Sequence, residues 1–266
     1  MLPDFEAEIR LLQKAKFPER PYLSILIPCY NEANRVSTTL QNIFEYFNSI
    51  SLGFEIVVID DGSVDETLDS ARVLNYDNVT IISYTSNKGK GYAIRAGVPY
   101  CRGSIILLCD ADLSTPIWEF ASLHNWMLEG YPIVIGSRRL RQSVIRVKRP
   151  LYRRLLGQML RCLLWLMRLR NVSDTQCGFK LFKADALRRI VKLQRIDGFA
   201  WDIEALHIAR KLGIAVKEVP IHWNHVPRRE QFISKRLQMF IDLILIRFYD
   251  FMGCYQSGCR PTRAST

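Results

Sequence analysis

The chain has no Cys-x-x-Cys pair. Its seven cysteines (Cys29, Cys101, Cys109, Cys162, Cys177, Cys254 and Cys259) are odd in number and scattered, which argues against a disulfide framework or a zinc site and fits a reducing cytosol. Gly-x-Gly-x-x-Gly and the Walker loop are both absent, so the dinucleotide oxidoreductase and ATPase readings lose their main support. No run of about 18 uncharged apolar residues occurs, so no spanning helix is expected. The opening MLPDFEAEIRLLQK carries acids and no apolar block, unlike a secretory signal. Acid is the scarcer charge: 37 Lys and Arg stand against 26 Asp and Glu, a net +11. That excess calls for an anionic partner, whether nucleic acid, a phosphorylated substrate or an acidic lipid surface.

What the chain does have is core and repetition. With 48% of 266 residues hydrophobic, it can bury a sizeable interior as one large α/β domain or two small ones. Tyr22 to Ile27 reads as a strand stopping at Pro28, followed by Cys29-Tyr30-Asn31-Glu32 and a helical pattern through Val36, Leu40, Ile43, Phe44 and Phe47. Phe54 to Ile59 is a second apolar strand, ending in Asp60-Asp61-Gly62-Ser63 with Asp65 near the start of the next helix. Val79 to Tyr84 is a third, leading through Asn87-Lys88-Gly89-Lys90-Gly91 to a helix from Tyr92 toward Tyr100. Ile105 to Leu108 is a fourth and exits into Asp110-Ala111-Asp112. The residues before Tyr22 form a polar lead-in that suits a short helix. Four strand-loop-helix units predict an α/β fold with a doubly wound, mostly parallel sheet whose loops gather on one edge.

Each loop offers chemistry, and each has a plainer structural alternative. Asp110 and Asp112 at a strand end can face one crevice, where Mg2+ or Mn2+ would offset their repulsion; Asp-x-Asp is also common in surface turns. Asp60 or Asp61 can accept hydrogen bonds from a base or ribose, and Lys88 can pair with phosphate; the same motifs serve as a turn and a flexible loop. From Arg138 to Arg170 there are eleven basic residues and no acid. If Leu151 to Leu169 is a helix, Arg153, Arg154, Arg161 and Arg168 share one face and leucines and methionines the other, which suits either an interfacial membrane helix or a core helix with a solvated side. Nucleic acid is disfavoured, because aromatics are not interleaved for base stacking. Leu237 to Met252, interrupted by Asp242 and Arg247, is apolar nearly all round and suits another helix, a second copy of the chain in a homo-oligomer, or a bilayer surface. Two sequons, at Asn78 and Asn171, would stay unmodified in a cytosolic enzyme.

In order and spacing, Pro28-Cys29-Tyr30-Asn31-Glu32, Asp60-Asp61-Gly62-Ser63 with Asp65, Asn87 to Gly91 and Asp110-Ala111-Asp112 resemble the nucleotide-sugar domain of family 2 inverting glycosyltransferases. The likeness continues through Gly136-Ser137-Arg138, Asp174 to Lys180 and Trp201-Asp202-Ile203-Glu204, which are similar to the polyprenyl-phosphate branch of that family. Within the branch, DADLST and DTQCGFK are most similar to the dolichyl-phosphate glucosyl members. The resemblance implies a GT-A type fold over residues 21–236, after a lead-in of residues 1–20 and before an apolar helix and polar tail at 237–266, with the basic 138–170 segment serving acceptor and membrane.

The resemblance also implies roles. Pro28, Tyr30 and Glu32 would hold base and ribose beside Asp60 or Asp61; Asp110 and Asp112 would serve ribose and metal; Arg138 and Ser137 would meet the acceptor phosphate; Gln176 and Lys180 would line the acceptor loop. Ser114 stands where mannosyl relatives often place a metal-assisting Gln, which points away from a GDP-mannose donor and makes Ser114 a weak or water-mediated third ligand. Asp202 occupies the place where hydroxyl-using relatives carry a general base; read from the residues alone it is an N-cap for the helix Ile203 to Leu212. Arg228 and Arg229, with Lys235 and Arg236, can close over the diphosphate or lie on the surface, while His222 and Trp223 read as packing residues. The expected reaction moves a hexose, glucose from UDP, onto polyprenyl or dolichyl phosphate at the cytosolic face of a membrane. A phosphate acceptor is anionic near neutrality and needs no base, whereas a hydroxyl acceptor does. The alternatives are a dolichyl- or polyprenyl-phosphate mannosyltransferase using GDP-mannose, a family 2 transferase with a hydroxyl acceptor and, outside enzymes, a basic peripheral membrane-binding module.

Overall fold

The computed structural model describes residues 9–14, 20–145, 172–224 and 232–256. The core is a doubly wound sheet, as the strand-loop-helix repeat predicts. In chain order its strands are β1 (Arg10–Gln13), β2 (Leu23–Cys29), β3 (Phe54–Asp60), β4 (Val79–Ser83), β5 (Ile105–Leu108), β6 (Ile133–Ser137), β8 (Lys180–Lys183) and β9 (Val216–Pro220); β7 (Val144–Ile145) pairs separately with β10 (His222–Trp223). Spatial order is β1-β4-β3-β2-β5-β8-β6-β9. β2 runs parallel to β3 and β5, as β3 does to β4, whereas β8 is antiparallel to both β5 and β6 and β1 is antiparallel to β4.

Continuous apolar runs form these strands because both faces are covered. Along β3, Val57 and Ile59 face one buried layer and Ile56 and Val58 the other; β5 alternates in the same way, Ile106 and Leu108 against Ile105 and Leu107. The helices α1 (Val36–Ser49), α2 (Thr67–Arg72) and α4 (Phe120–Leu128) cover one face. α3 (Lys90–Gly97), α5 (Ala184–Leu193), α6 (Trp201–Lys211) and α7 (Phe232–Phe251) cover the other. In α1 the buried Val36, Leu40, Ile43 and Phe47 recur at helical spacing and point at the sheet.

Three local expectations are corrected. The lead-in is a strand where described, because the open edge of β4 accepts Arg10 to Gln13 as an antiparallel neighbour. β2 does not stop at Pro28 but runs on to Cys29. Leu26 O accepts from Cys109 N, so Pro28, two residues on, faces the same side, where β5 has already ended at Leu108 and no ladder partner needs an N–H. α3 begins at Lys90, two residues before Tyr92, because Gly89 at φ +104° turns the chain into it. The helix read at Leu151 to Leu169, and the cations from Arg146 to Arg170, lie outside the described residues. Among those described, no helix is long and apolar enough to cross a membrane, and the five cysteines, Cys29, Cys101, Cys109, Cys177 and Cys254, are free thiols. Asn78 is buried, with its amide donating to Phe54 O, so it is closed to modification.

Candidate active site

The loops leaving β2 and β3 are stitched together. Asn31 sits at φ +55° and donates its N–H to Ser63 Oγ (3.0 Å) while its side-chain oxygen accepts from Val64 N (3.0 Å). Glu32 N donates to Thr67 Oγ1 (2.7 Å), and Ala33 N to Asp65 (3.3 Å). These bonds fix the backbone beside Pro28 and Tyr30, and Glu32 carries an ion pair to Arg35 at 2.9 Å.

Asp61 is the hub of the next loop. Its carboxylate accepts from Tyr84 Oη (2.7 Å), Asn87 Nδ2 (2.8 Å), Lys88 N (2.8 Å) and Gly89 N (2.9 Å). Burial raises its pKa against those donors, and burial likewise raises that of Asp60. Of the two acids expected to hold base and ribose, Asp61 is occupied with shaping Asn87 to Gly89, while Asp60 accepts from Ser63 N at 3.2 Å. Lys88 lies over the ring of Tyr92, its ammonium 4.9 Å from the centroid.

Lys90, absent from the sequence-derived set, is a cation that reaches the acids of the crevice. Its ammonium contacts Asp110 Oδ1 at 2.9 Å and Asp202 Oδ2 at 3.3 Å. The other oxygen of Asp202 receives Lys180 Nζ, which also donates to Cys177 O at 2.5 Å. Asp202 is therefore no N-cap: it lies inside α6, whose first turn makes no side-chain cap, and its carboxylate is held between two ammonium groups. Lys180, expected to line the acceptor loop, is fully buried and acts from beneath as a counter-charge. Asp110 packs against Gly178 so tightly that a Cβ there would lie 1.9 Å from Asp110 Oδ2. Asp112 follows in a turn where Leu113 adopts φ +43°, and its Oδ1 accepts from Ser114 N at 2.9 Å. Beneath the acids, burial first and then the charges of Asp110 and Asp112 push the Cys109 thiol far up, so it stays protonated.

On the far side, Arg138 forms a fork to buried Asp174, with Nε at 2.6 Å and a terminal nitrogen at 2.8 Å, and its guanidinium lies 5.6 Å from the Trp223 ring. Burial pushes the Asp174 carboxyl up, but the guanidinium overrides it and holds it down at about 2. Ser137, proposed to meet the acceptor phosphate, is fully buried and its Oγ accepts Arg139 N at 3.2 Å, which makes it part of the turn. Gln176 donates to Met239 Sδ of α7 at 2.7 Å. Asn224 N donates to Ser114 O at 2.7 Å, joining the strand after β9 to the Asp112 turn. His222 pairs with buried Glu119 at 2.6 Å, in keeping with packing. Arg228 and Arg229 lie outside the described residues, as do the side chains of Lys235 and Arg236.

Among the described residues no group of three or more His, Cys, Asp and Glu gathers to hold an ion. The donors at hand are the carboxylates of Asp112 and Asp110, hard oxygen ligands in a half-buried turn. That set fits Mg2+ or Mn2+, which take one or two carboxylates and complete their shell with phosphate oxygens and water.

An open α/β sheet whose loops collect acids and lysines beyond the carboxyl ends of its strands has the layout of a protein that binds a polar ligand over that edge. Residues 24–191 match Glycosyl transferase family 2, and the chain belongs to that family. It is 34% identical over 242 residues to a dolichyl-phosphate beta-glucosyltransferase of Trichomonas vaginalis, covering 86% of this chain and 73% of the relative. To the proteins of the same description in Mus musculus and Saccharomyces cerevisiae it is 32% and 30% identical, covering 88% and 90% of this chain and 77% and 78% of theirs. Among solved structures it shares its fold with mannosyl-3-phosphoglycerate synthase of Rubrobacter xylanophilus (TM-score 0.66, 20% identity, 91% of this chain and 78% of that one). Glucosyl-3-phosphoglycerate synthase of Mycobacterium tuberculosis, crystallised with Mn2+, uridine diphosphate and phosphoglyceric acid, gives TM-score 0.66 at 20% identity, over 91% of this chain and 80% of that one.

Proposed function

We propose that the protein transfers glucose from UDP-glucose to dolichyl or another polyprenyl phosphate, with inversion and with Mg2+ or Mn2+, at the cytosolic surface of a membrane. The observation that carries the acceptor class is Asp202 held between Lys90 and Lys180. Together with Asp110, which shares Lys90, this carboxylate balances the two ammonium groups, and with one on each oxygen it is badly placed to take a proton from a hydroxyl acceptor. A phosphate acceptor needs no such base, because one of its oxygens is already anionic. That oxygen attacks the anomeric carbon as the bond to the leaving diphosphate breaks, and the electron pair departs with the diphosphate. Asp112 and Asp110, with Ser114 as a weak or water-mediated third ligand, would hold a divalent ion, which would supply Lewis acidity toward that leaving group. Lys90, beside Asp110, adds positive charge on the same side; Pro28, Tyr30, Glu32 and Asp60 form the wall for base and ribose; Arg138 and Gln176 border the acceptor side. The glucosyl assignment rests on the relatives named above, which share most of their length with this chain.

The test is a screen of radiolabelled UDP- and GDP-sugars with polyprenyl phosphate. Label from UDP-glucose is expected in the phosphate-bearing lipid; label from GDP-mannose instead would move the donor assignment, and no donor binding at all would leave only a basic binding module. Alongside it, Asp202→Asn is expected to lower stability by about 3–5 kcal/mol, because Lys180 loses its buried counter-charge. Turnover at low temperature should stay within about tenfold of wild type, whereas a drop of roughly 10²–10⁴ with an altered pH profile would identify a general base and a hydroxyl acceptor.

A further inference from the structure

α7 has two apolar faces. Leu243 and Ile246 are fully buried against the sheet layer, while on the opposite side Ile241 (44% exposed), Ile244 (65%), Phe248 (55%), Phe251 (88%) and the following Met252 (56%) stand in solvent. Steps of three and four residues align them in one stripe. Single exposed apolar side chains are ordinary; five in a line on one helix make a docking surface. The stripe carries no acid. Asp242 is buried, and Asp250 is held by Lys211 at 2.7 Å and by Arg247 at 3.6 Å.

Two occupants suit such a face, a second copy of the chain or a bilayer, and charge separates them. Each copy carries a net +11, so pairing brings like charges together, whereas an anionic leaflet attracts them. Lys235 and Arg236 belong to the same helix in sequence, and the eleven cations from Arg138 to Arg170 come without an acid. We infer that the stripe Ile241, Ile244, Phe248, Phe251 and Met252 docks on the surface of an anionic lipid bilayer, with α7 lying in the interface rather than crossing it. On its inner face the helix touches Gln176, on the acceptor side of the crevice, through Met239, so docking leaves that side one helix away from the bilayer surface. The purpose of that placement rests on the lipid-acceptor reading; the surface itself does not.

The experiment is flotation of the full chain with phosphatidylcholine vesicles, with and without phosphatidylserine. Wild type should float with the anionic vesicles, and the triple variant Ile244→Glu/Phe248→Glu/Phe251→Glu should partition about tenfold less or worse. Phe251→Ser/Met252→Ser, at the open end of the helix, gives a milder version that leaves the core untouched. Both variants should keep wild-type transfer to a short water-soluble prenyl phosphate, and both should lose transfer to vesicle-borne acceptor. Unchanged flotation of the triple variant overturns the inference. So does a wild-type dimer that the variants convert to monomer in sedimentation, since a second copy would then own the stripe. Vesicle binding lost with the stripe, in a chain that glucosylates no prenyl phosphate, supports the surface and defeats the functional reading instead.

Discussion

Gly178 shows how closely the crevice is fitted around single side chains. Its φ is not in the left-handed region, so alanine is tolerated by the backbone; the obstacle is Asp110, whose carboxylate atoms lie 1.9, 2.2 and 2.6 Å from where the new methyl would stand. The acid must swing away and disturb its contact with Lys90. Gly178→Ala is expected to fold with a melting midpoint near wild type and to lose about a hundredfold in kcat/KM, the scale of an ångström-sized misplacement. Wild-type kcat/KM in that variant would remove Asp110 from the working site. At this scale the sequence carries residue types better than partners. Asp110 and Asp112 were legible because an apolar strand ends in two acids. Lys90 was not singled out because Lys88, on the other side of Gly89, has identical chemistry. Only the start of α3 at Lys90 decides which of the two faces the carboxylates. Asp61 gave no sign of being consumed by its own loop, since the four donors come from Tyr84 and from Asn87 to Gly89, brought in by tertiary folding.

Among elements, the joint between α6, the loop after α5 and the turn following α7 depends on one buried acid. Glu204, fully buried, accepts from Tyr255 Oη (2.7 Å), Arg195 N (2.8 Å) and Ile196 N (3.0 Å). Burial nevertheless pushes its carboxyl from the usual 4.5 up to about 7. The folded state therefore holds a proton that the unfolded chain has already released, and stability falls as pH rises from about 4.5 through about 7, by roughly 3 kcal/mol. In urea titrations across that window, wild type should lose stability relative to Glu204→Gln as pH rises, whatever constant offset the amide introduces. A difference independent of pH between 4.5 and 7 would show that the acid stays ionised in the fold. Elements built on continuous apolar runs, β5 and the Ile56–Ile59 stretch of β3 above all, were readable from sequence because burial on both faces leaves those positions apolar. β8 was not: with Lys at both ends it looks like a surface segment, and its place between β5 and β6 depends on Lys180 finding Asp202 in α6. The antiparallel β1 was hidden for a similar reason, since four residues of mixed polarity become a strand only when β4 offers them an edge.

Across the whole molecule, the crevice is assembled from segments far apart in sequence, including Pro28 to Glu32, Asp60, Lys90, Asp110 to Ser114 and Arg138. A ligand that bridges them binds the folded chain alone and must stabilise it. At about a hundred times its Kd, the gain is about 2.7 kcal/mol, which for a chain of this size raises the melting midpoint by roughly 5–10 °C. UDP together with Mn2+ is expected to give such a rise, and EDTA to abolish it. Asp112→Ala removes a half-buried carboxylate whose bond to Ser114 N contributes about 1 kcal/mol, so it should fold with a slightly lower midpoint and gain nothing from UDP and Mn2+. The Ile244→Glu/Phe248→Glu/Phe251→Glu variant, altered only on the outer face of α7, should keep the full rise. An equal rise with UDP in EDTA would take the metal out of donor binding; a rise with GDP and none with UDP would reassign the nucleotide. Because the readout is unfolding, it separates a chain that fails to hold its donor from one that holds it and fails at the chemistry.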